Sequence, residues 1–190
     1  ELYLYMGSFY EEIEDFQNSE TTLKSGLKLD PKNSDLLFRL GVVYDKWGRK
    51  SDCIETMKTV IRLEPQNANA LNYLGYTYAD LGQNLDEAER LILEALKLRP
   101  DDGYIIDSLG WVYYQKGLYP KALNSLKDAA ERIPDDPVIL EHLADVYLKL
   151  DESRKALELY RRALMNAEKD KVEHLQKKIQ ELMNQGFSDP

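Results

Sequence analysis

The chain has 190 residues with 34 acidic and 25 basic side chains, so its formal net charge is −9. It has no dense stripe of lysine and arginine and no apolar run near the roughly 20 residues of a membrane-spanning helix, which argues against nucleic-acid binding and direct membrane insertion. Because Cys53 is the only cysteine, an intrachain disulfide and a cysteine-rich zinc site are excluded.

A repeated phrase divides the chain at regular intervals. Each phrase closes on a proline, at Pro31, Pro65, Pro100 and Pro134, with separations of 34, 35 and 34 residues. A fifth position in this series is occupied by Glu168. A period of this length predicts one helical hairpin per repeat.

Within each repeat the same apolar and small slots recur in phase. Their spacing of i, i+3 and i+7 predicts two amphipathic helices per repeat. In chain order these slots hold Tyr3, Met6, Gly7, Tyr10, Leu23 and Gly26; then Leu37, Leu40, Gly41, Tyr44, Cys53, Met57 and Val60; then Leu71, Leu74, Gly75, Tyr78, Ala88, Ile92 and Ala95; then Ile106, Leu109, Gly110, Tyr113, Ala122, Leu126 and Ala129; then Leu140, Leu143, Ala144, Tyr147, Ala156, Tyr160 and Ala163.

Turn residues indicate where the predicted helices begin and end. The loops after the prolines supply Asn, Ser or Asp as N-caps, and Gly48, Gly82 and Gly117 stand where a first helix should stop. Pro120 falls in the first turn of the next helix, and a one-residue excess around 83–86 lengthens one turn. Small residues at Gly41 and its equivalents leave room for a neighbouring helix, and we expect Cys53 to be buried packing.

The repeat signature stops after residue 168. An apolar stripe of Val172, Leu175, Ile179 and Leu182 continues among polar residues, which predicts a capping helix over 169–185, followed by a tail over 186–190. The first repeat has no such cap, so we expect further repeats ahead of Glu1.

The recurring Leu-Gly, Tyr, Ala and Pro positions resemble the tetratricopeptide repeat. The resemblance covers residues 1–168 in five copies, the first truncated at its N-terminus. It implies an all-α, right-handed α-solenoid of about five helix-turn-helix repeats with a C-terminal capping helix. It also implies that the first helix of each hairpin lines a concave groove.

The phase of the repeat separates two classes of aromatic residue in the segment SLGWVYYQKG. Tyr113 shares its slot with Tyr44 and Tyr78, so its ring should pack between helices. Trp111 lies about 200° away on the same helix, and Tyr114 shares its side, so both should face the groove. The predicted partner-binding residues of the groove are Asn69, Asn72, Tyr76, Asp80, Tyr104, Asp107, Trp111, Tyr114, Glu141 and Asp145.

These residues favour a non-enzymatic scaffold that binds a peptide or a partner protein of neutral, apolar or basic character. The carboxylate clamp of chaperone adaptors, which the resemblance would place in these helices, is absent. An alternative is self-association through the first repeat or the convex face. A hydrolase would need two groove carboxylates held beside a cleft.

Nothing in the sequence predicts a cofactor. His142 and His174 do not form a metal-binding motif, and we expect His142 on a helix surface and His174 among the polar residues of the capping helix. Two phrases, LNYLGYTYADLG and DSLGWVYYQKG, also resemble repeats of bacterial tetratricopeptide proteins, some of them periplasmic lipoproteins. This resemblance favours a bacterial cytoplasmic or periplasmic location, with the cell envelope preferred.

Overall fold

The computed structural model describes residues 1–186, and in that range it contains eleven α-helices. They are α1 (Leu2–Glu12), α2 (Phe16–Leu29), α3 (Ser34–Lys46), α4 (Lys50–Leu63), α5 (Ala68–Asp80), α6 (Leu85–Leu98), α7 (Gly103–Gln115), α8 (Tyr119–Arg132), α9 (Pro137–Lys149), α10 (Ser153–Asn166) and α11 (Lys169–Asn184). The first ten form five consecutive hairpins, which confirms the predicted α-solenoid. Residues 187–190 of the predicted tail lie outside the described range.

The first helices of the last four hairpins begin at the predicted caps. Their N-cap side chains, Asn33, Asn67, Asp102 and Asp136, each accept a hydrogen bond from a backbone N–H in the first turn. Such a bond satisfies a donor that the helix itself leaves unpaired. The predicted caps are therefore confirmed.

The hairpin turns depend on left-handed backbone conformations. Gly48, Gly82 and Gly117 have φ of +76°, +62° and +73°, which glycine adopts without steric cost. Glu14 and Asp151 stand at the corresponding turns of the first and last hairpins, with φ of 58° and 61°. The extra residue of the third hairpin is accommodated by a second left-handed residue, Asn84, with φ of 48°.

Each hairpin is closed by a small residue on its first helix facing a large one on its second. A Cβ at Gly110 would lie 2.5 Å from Cγ of Leu126, and a Cβ at Gly75 would lie 2.6 Å from Cγ1 of Ile92. One fully buried side chain from each second helix fills this contact, in the series Leu23, Met57, Ile92, Leu126 and Tyr160. The buried side chains lie in three neighbouring clusters along the array, and half-buried Tyr113 packs against two of them.

Cys53 is fully buried on α4, as predicted. Burial raises the pKa of its thiol to about 12, and the Asp45 carboxylate adds to the effect. The side chain therefore packs as a small apolar group and not as a thiolate nucleophile.

The array curves with its first helices on the inside. Helix α1 contacts α3, α5 contacts α7, and α7 contacts α9, whereas the second helices make no comparable contacts with one another. The curvature brings residues 168–171 back towards the first hairpin, where they line a cavity of about 760 Å³ together with Glu11, Glu14 and Phe16.

The last helix, α11, packs on α10 through Leu175, Ile179 and Leu182, while Val172 of the predicted stripe is only half-buried. Within residues 1–186, no helix is both long and apolar enough to span a bilayer.

Candidate functional site

A cavity of about 290 Å³ opens on the inner face of the array, between three successive first helices. We call it the groove cavity. Its lining residues are Asn72, Tyr73 and Tyr76 from α5, Tyr104, Asp107 and Ser108 from α7, Val138 and Ile139 from α9, and the α9 N-cap Asp136. Asn72, Tyr76, Tyr104 and Asp107 of the predicted site are therefore brought together around one opening.

Trp111 and Tyr114 lie in an aromatic stack beside this cavity. The Trp111 ring stacks on Tyr114 with centroids 4.7 Å apart, and on His142 with centroids 4.2 Å apart. Tyr76 also approaches His142, with ring centroids 6.2 Å apart. Because both Trp111 and Tyr114 are half-buried, they are less open to a partner than the sequence suggested.

His142 corrects one sequence prediction. It was expected on a helix surface, but only 6% of the residue is exposed, and its Nδ1 lies 3.0 and 3.1 Å from the two carboxylate oxygens of Asp107. The repeat phase shows only that His142 stands next to Glu141 in the chain. It does not show that α7 supplies a buried carboxylate opposite His142. Asp107 is consequently not an open acceptor for a ligand.

The Asp107–His142 pair favours the charged imidazolium. Burial alone lowers the pKa of His142, but the adjacent Asp107 carboxylate and the more distant Asp145 and Glu141 raise it further than burial lowers it, so its pKa lies above the ordinary value. The ring also lies between Tyr76 and Trp111, whose π faces attract a cation.

Glu141 and Asp145 are bridged by a lysine that sequence analysis missed. Lys178 of α11 places its Nζ 2.7 Å from Oε1 of Glu141 and 2.8 Å from Oδ1 of Asp145. The Tyr160 hydroxyl also donates to Asp145, and His174 lies 2.9 Å from Glu141. No repeat-based alignment identifies Lys178, because α11 has no equivalent among the five hairpins.

These contacts shift the pKa values of Glu141 and Lys178 in opposite directions. Burial raises the pKa of Glu141, but the hydrogen bond and charge of Lys178 lower it further, so its pKa lies below the ordinary value. Conversely, burial lowers the pKa of Lys178 while Asp145 and Glu141 raise it, and the net pKa is raised. The two carboxylates that a hydrolase would need are thus both bound to one ammonium group.

Asn69 and Asp80 lie at the margins of the site and do not line the groove cavity. Both are exposed, and each is bonded to a basic side chain of a neighbouring helix or turn: Arg99 donates to Asn69 at 2.8 Å, and Lys50 donates to Asp80 at 3.3 Å. Every acidic residue of the predicted site is therefore paired with a positive group.

Two buried polar atoms of the site have no hydrogen-bond partner. These are Oδ1 of Asn72, which belongs to a residue lining the groove cavity, and Nε1 of Trp111. An unsatisfied buried polar atom costs about 1–3 kcal/mol. The Asn72 oxygen is an acceptor and therefore requires an N–H or O–H donor.

Within the described range, no cluster of three or more His, Cys, Asp or Glu side chains is arranged to hold a metal ion. The residues of the groove cavity offer phenolic, amide and aliphatic surfaces.

Comparison with protein-family models gives matches to tetratricopeptide repeats over residues 1–33, 34–67, 56–90 and 82–176. A TPR repeat-containing protein of Pseudomonas aeruginosa is 48% identical over 52 residues, a match that covers 27% of this chain and 9% of the relative. The matched part is thus a small fraction of that much longer protein.

Two solved structures illustrate the likeness of fold. A thermophilic TPR protein of Thermus thermophilus superposes with a TM-score of 0.81 at 24% identity, over 96% of this chain and 97% of the other. The Cut9–Hcn1 hetero-tetramer of APC/C contributes a chain with a TM-score of 0.86 at 17% identity, over 97% of this chain and 36% of the other. At these identities the likeness concerns the fold alone.

Proposed function

Because the chain belongs to the tetratricopeptide repeat family, a family of protein–protein interaction scaffolds, we propose that it is a non-enzymatic scaffold that binds a peptide segment of a partner protein in the groove cavity. The single observation that carries the proposal is the groove cavity itself, a largely apolar opening between three first helices that Asn72, Tyr76 and Tyr104 line. Phenolic hydroxyls and an asparagine amide can each donate to or accept from the backbone of an extended peptide.

The cavity also favours one kind of peptide side chain. Tyr104 and Val138 are 57% and 41% exposed at its rim, and Ile139 is buried in its wall. A volume of about 290 Å³ accommodates one large apolar side chain, and aromatic surfaces give much contact area at low entropic cost.

The charge of the preferred partner follows from the ion pairs. Asp107 is paired with His142, and Glu141 and Asp145 share Lys178, so none of the three carboxylates is unpaired for a lysine or arginine of a partner. Among the neutral, apolar and basic partners that the sequence suggested, we therefore favour a neutral segment with an apolar anchor residue.

The test uses a random peptide library displayed on phage, selected against the immobilised chain. We expect enrichment of an apolar or aromatic residue in a neutral context. Calorimetric titration of a selected peptide should then show that Tyr104→Ala and Asn72→Ala each weaken binding on the order of tenfold, equivalent to about 1.4 kcal/mol.

Tyr5→Ala is the matched control, because Tyr5 is an equally solvent-facing tyrosine on α1 and lies outside the groove cavity. Its affinity for the selected peptide should equal that of the unmodified chain. Equal losses for Tyr5→Ala and Tyr104→Ala, or selection of strongly charged peptides only, would contradict the proposal.

A further inference from the structure

Two carboxylates continue the groove cavity along α9. Val138, Glu141 and Asp145 stand at positions i, i+3 and i+7, so they share one side of the helix. Val138 is 41% exposed at the rim of the groove cavity. At a rise of 1.5 Å per residue, Glu141 follows it by about 4.5 Å and Asp145 by about 10.5 Å along the helix axis. A peptide that leaves the cavity along α9 therefore passes both carboxylates.

The ammonium group of Lys178 lies between these two carboxylates. Its Nζ is 2.7 Å from Oε1 of Glu141, and 2.8 and 3.0 Å from the two carboxylate oxygens of Asp145. The side chains of Lys178, Glu141 and Asp145 are 23%, 16% and 14% exposed, so the cluster is open to solvent on one side. Lys178 thus occupies the position that a cationic side chain of a partner would need in order to bind both carboxylates. We call this position the cation subsite.

The helix that carries Lys178 is held in place by other residues. Leu175 and Leu182 flank Lys178 at i−3 and i+4, they are 1% and 4% exposed, and α11 packs on α10. The Lys178 ammonium also lies 5.1 Å from the centroid of the Tyr160 ring. Because the apolar contacts of α11 do not involve this ammonium group, its charge can be removed while those contacts remain.

The occupied subsite disfavours a partner side chain of either charge. A second ammonium group would have to lie beside that of Lys178, and a carboxylate would approach Glu141 and Asp145. Like charges placed close together at an interface select against a partner. One ammonium group offsets only one of the two carboxylates, but the position that contacts both is already filled. His174, which is 55% exposed, lies 2.9 Å from Glu141 and adds a further donor there.

We propose that Lys178 determines the charge preference of the groove by occupying the cation subsite, so that lysine and arginine of a partner are excluded from it. The inference rests on the proposed function, because it concerns a peptide whose apolar anchor residue lies in the groove cavity. An extended peptide advances roughly 3.3 Å per residue. The excluded side chain therefore belongs to one of the three residues next to the anchor.

The test repeats the selection of phage-displayed peptides on Lys178→Met, whose side chain is of similar length and has no charge. We expect lysine or arginine to be enriched within three positions of the anchor, and no such enrichment on the unmodified chain. In calorimetric titration, a selected peptide with lysine at that position should bind Lys178→Met on the order of tenfold more tightly than the same peptide with glutamine. The unmodified chain should bind these two peptides equally.

Lys177→Met is the matched control. It removes the same charge from the same helix, but Lys177 is exposed and lies outside the cation subsite. Its preference between the lysine and glutamine peptides should equal that of the unmodified chain. A preference for lysine in both variants would show that the net charge of the protein, and not the subsite, is responsible.

A second variant reverses the expected preference and does not leave two carboxylates without their lysine. In the double substitution Glu141→Gln and Asp145→Asn, Lys178 remains as a cation without carboxylate partners at the subsite. This variant should bind a peptide with glutamate next to the anchor on the order of tenfold more tightly than the glutamine peptide. It decides the question if Lys178→Met no longer unfolds cooperatively in urea.

The effect of Tyr104→Ala separates the failure of this inference from that of the proposed function. If Tyr104→Ala weakens binding of the selected peptides but neither subsite variant changes the charge preference, Lys178 does not determine it and the proposed function stands. If Tyr104→Ala leaves binding unchanged, the peptides bind elsewhere, and both the proposed function and the role of Lys178 are wrong.

Discussion

At the scale of single residues, the imidazole of His142 shows how one buried group connects three hairpins. Its Nδ1 is bonded to Asp107 of α7, its ring stacks on Trp111 of the same helix, and it approaches Tyr76 of α5. A charge this deeply buried is stable only because a carboxylate and two aromatic faces surround it. The pair therefore connects α9 to α7.

The raised pKa of His142 gives a pH dependence with a definite sign. A folded-state pKa above the unfolded value, which is about 6.5, means that the protonated ring stabilises the fold. This contribution is present in full below the unfolded pKa and is lost as pH rises through the folded pKa. The free energy of unfolding, measured by urea titration between about pH 5 and pH 9, should therefore fall across that window.

The substitutions His142→Gln and Asp107→Asn should each remove this pH dependence, since each eliminates one member of the pair. His174→Gln serves as the control, because His174 is more than half exposed on α11. A pH dependence that survives both substitutions would show that other groups cause it.

At the scale of the secondary-structure element, a hairpin depends on the close approach of its two helices. Gly110 sits where α7 meets α8, and Leu126 on the opposite helix is fully buried. A methyl group added at Gly110 must displace this leucine from a close-packed site. Without that contact, replacing glycine by alanine would favour the helix.

Gly110→Ala should therefore destabilise the protein by about 1–2 kcal/mol, because overpacking outweighs the gain in helix propensity. Urea unfolding of the single and double variants provides the measurement. In the background of Leu126→Ala, which makes room, the added methyl group should be neutral or stabilising. An equal cost in both backgrounds would show that the contact with Leu126 is not the cause.

At the scale of the whole molecule, α11 has two connected roles. Its apolar residues cover α10, and its Lys178 crosses to the inner face of the array, where it binds Glu141 and Asp145. We propose that this helix is the solvating cap of the solenoid, since terminal repeats need a polar outer surface.

Leu175→Ala tests the capping role. Leu175 is 1% exposed, so its truncation should cost about 2–4 kcal/mol and should speed amide exchange in α10 as well as in α11. Met183→Ala on the same helix is the control, because Met183 is 42% exposed and should change both quantities little. Unaltered exchange in α10 would contradict the capping role.

Much of the fold follows from local patterns. The hairpins, the caps at Asn33 and Asp136, the left-handed turn at Gly117 and the small residue at Gly110 each depend on residues within one repeat or its adjoining loop. Such features recur with the period of the chain, so a single sequence contains several copies of the same signal.

The candidate site was predicted less completely. Asn72, Tyr76, Tyr104 and Asp107 do surround one cavity. The repeat phase alone, however, could not show that Trp111 is enclosed in a ring stack. The stack depends on His142, which the next hairpin places against Trp111.

The repeat and its helices follow from the sequence alone, because helical periodicity and turn chemistry act over a few residues. Which helix faces inward followed only from the family resemblance. The pairing of the groove carboxylates with His142 and Lys178 is visible only in the folded chain, because these carboxylates look free in the sequence. Those pairs join residues more than 30 positions apart at slots that the other repeats fill differently. Their formation depends on side-chain reach across a packed interface, which no local pattern encodes.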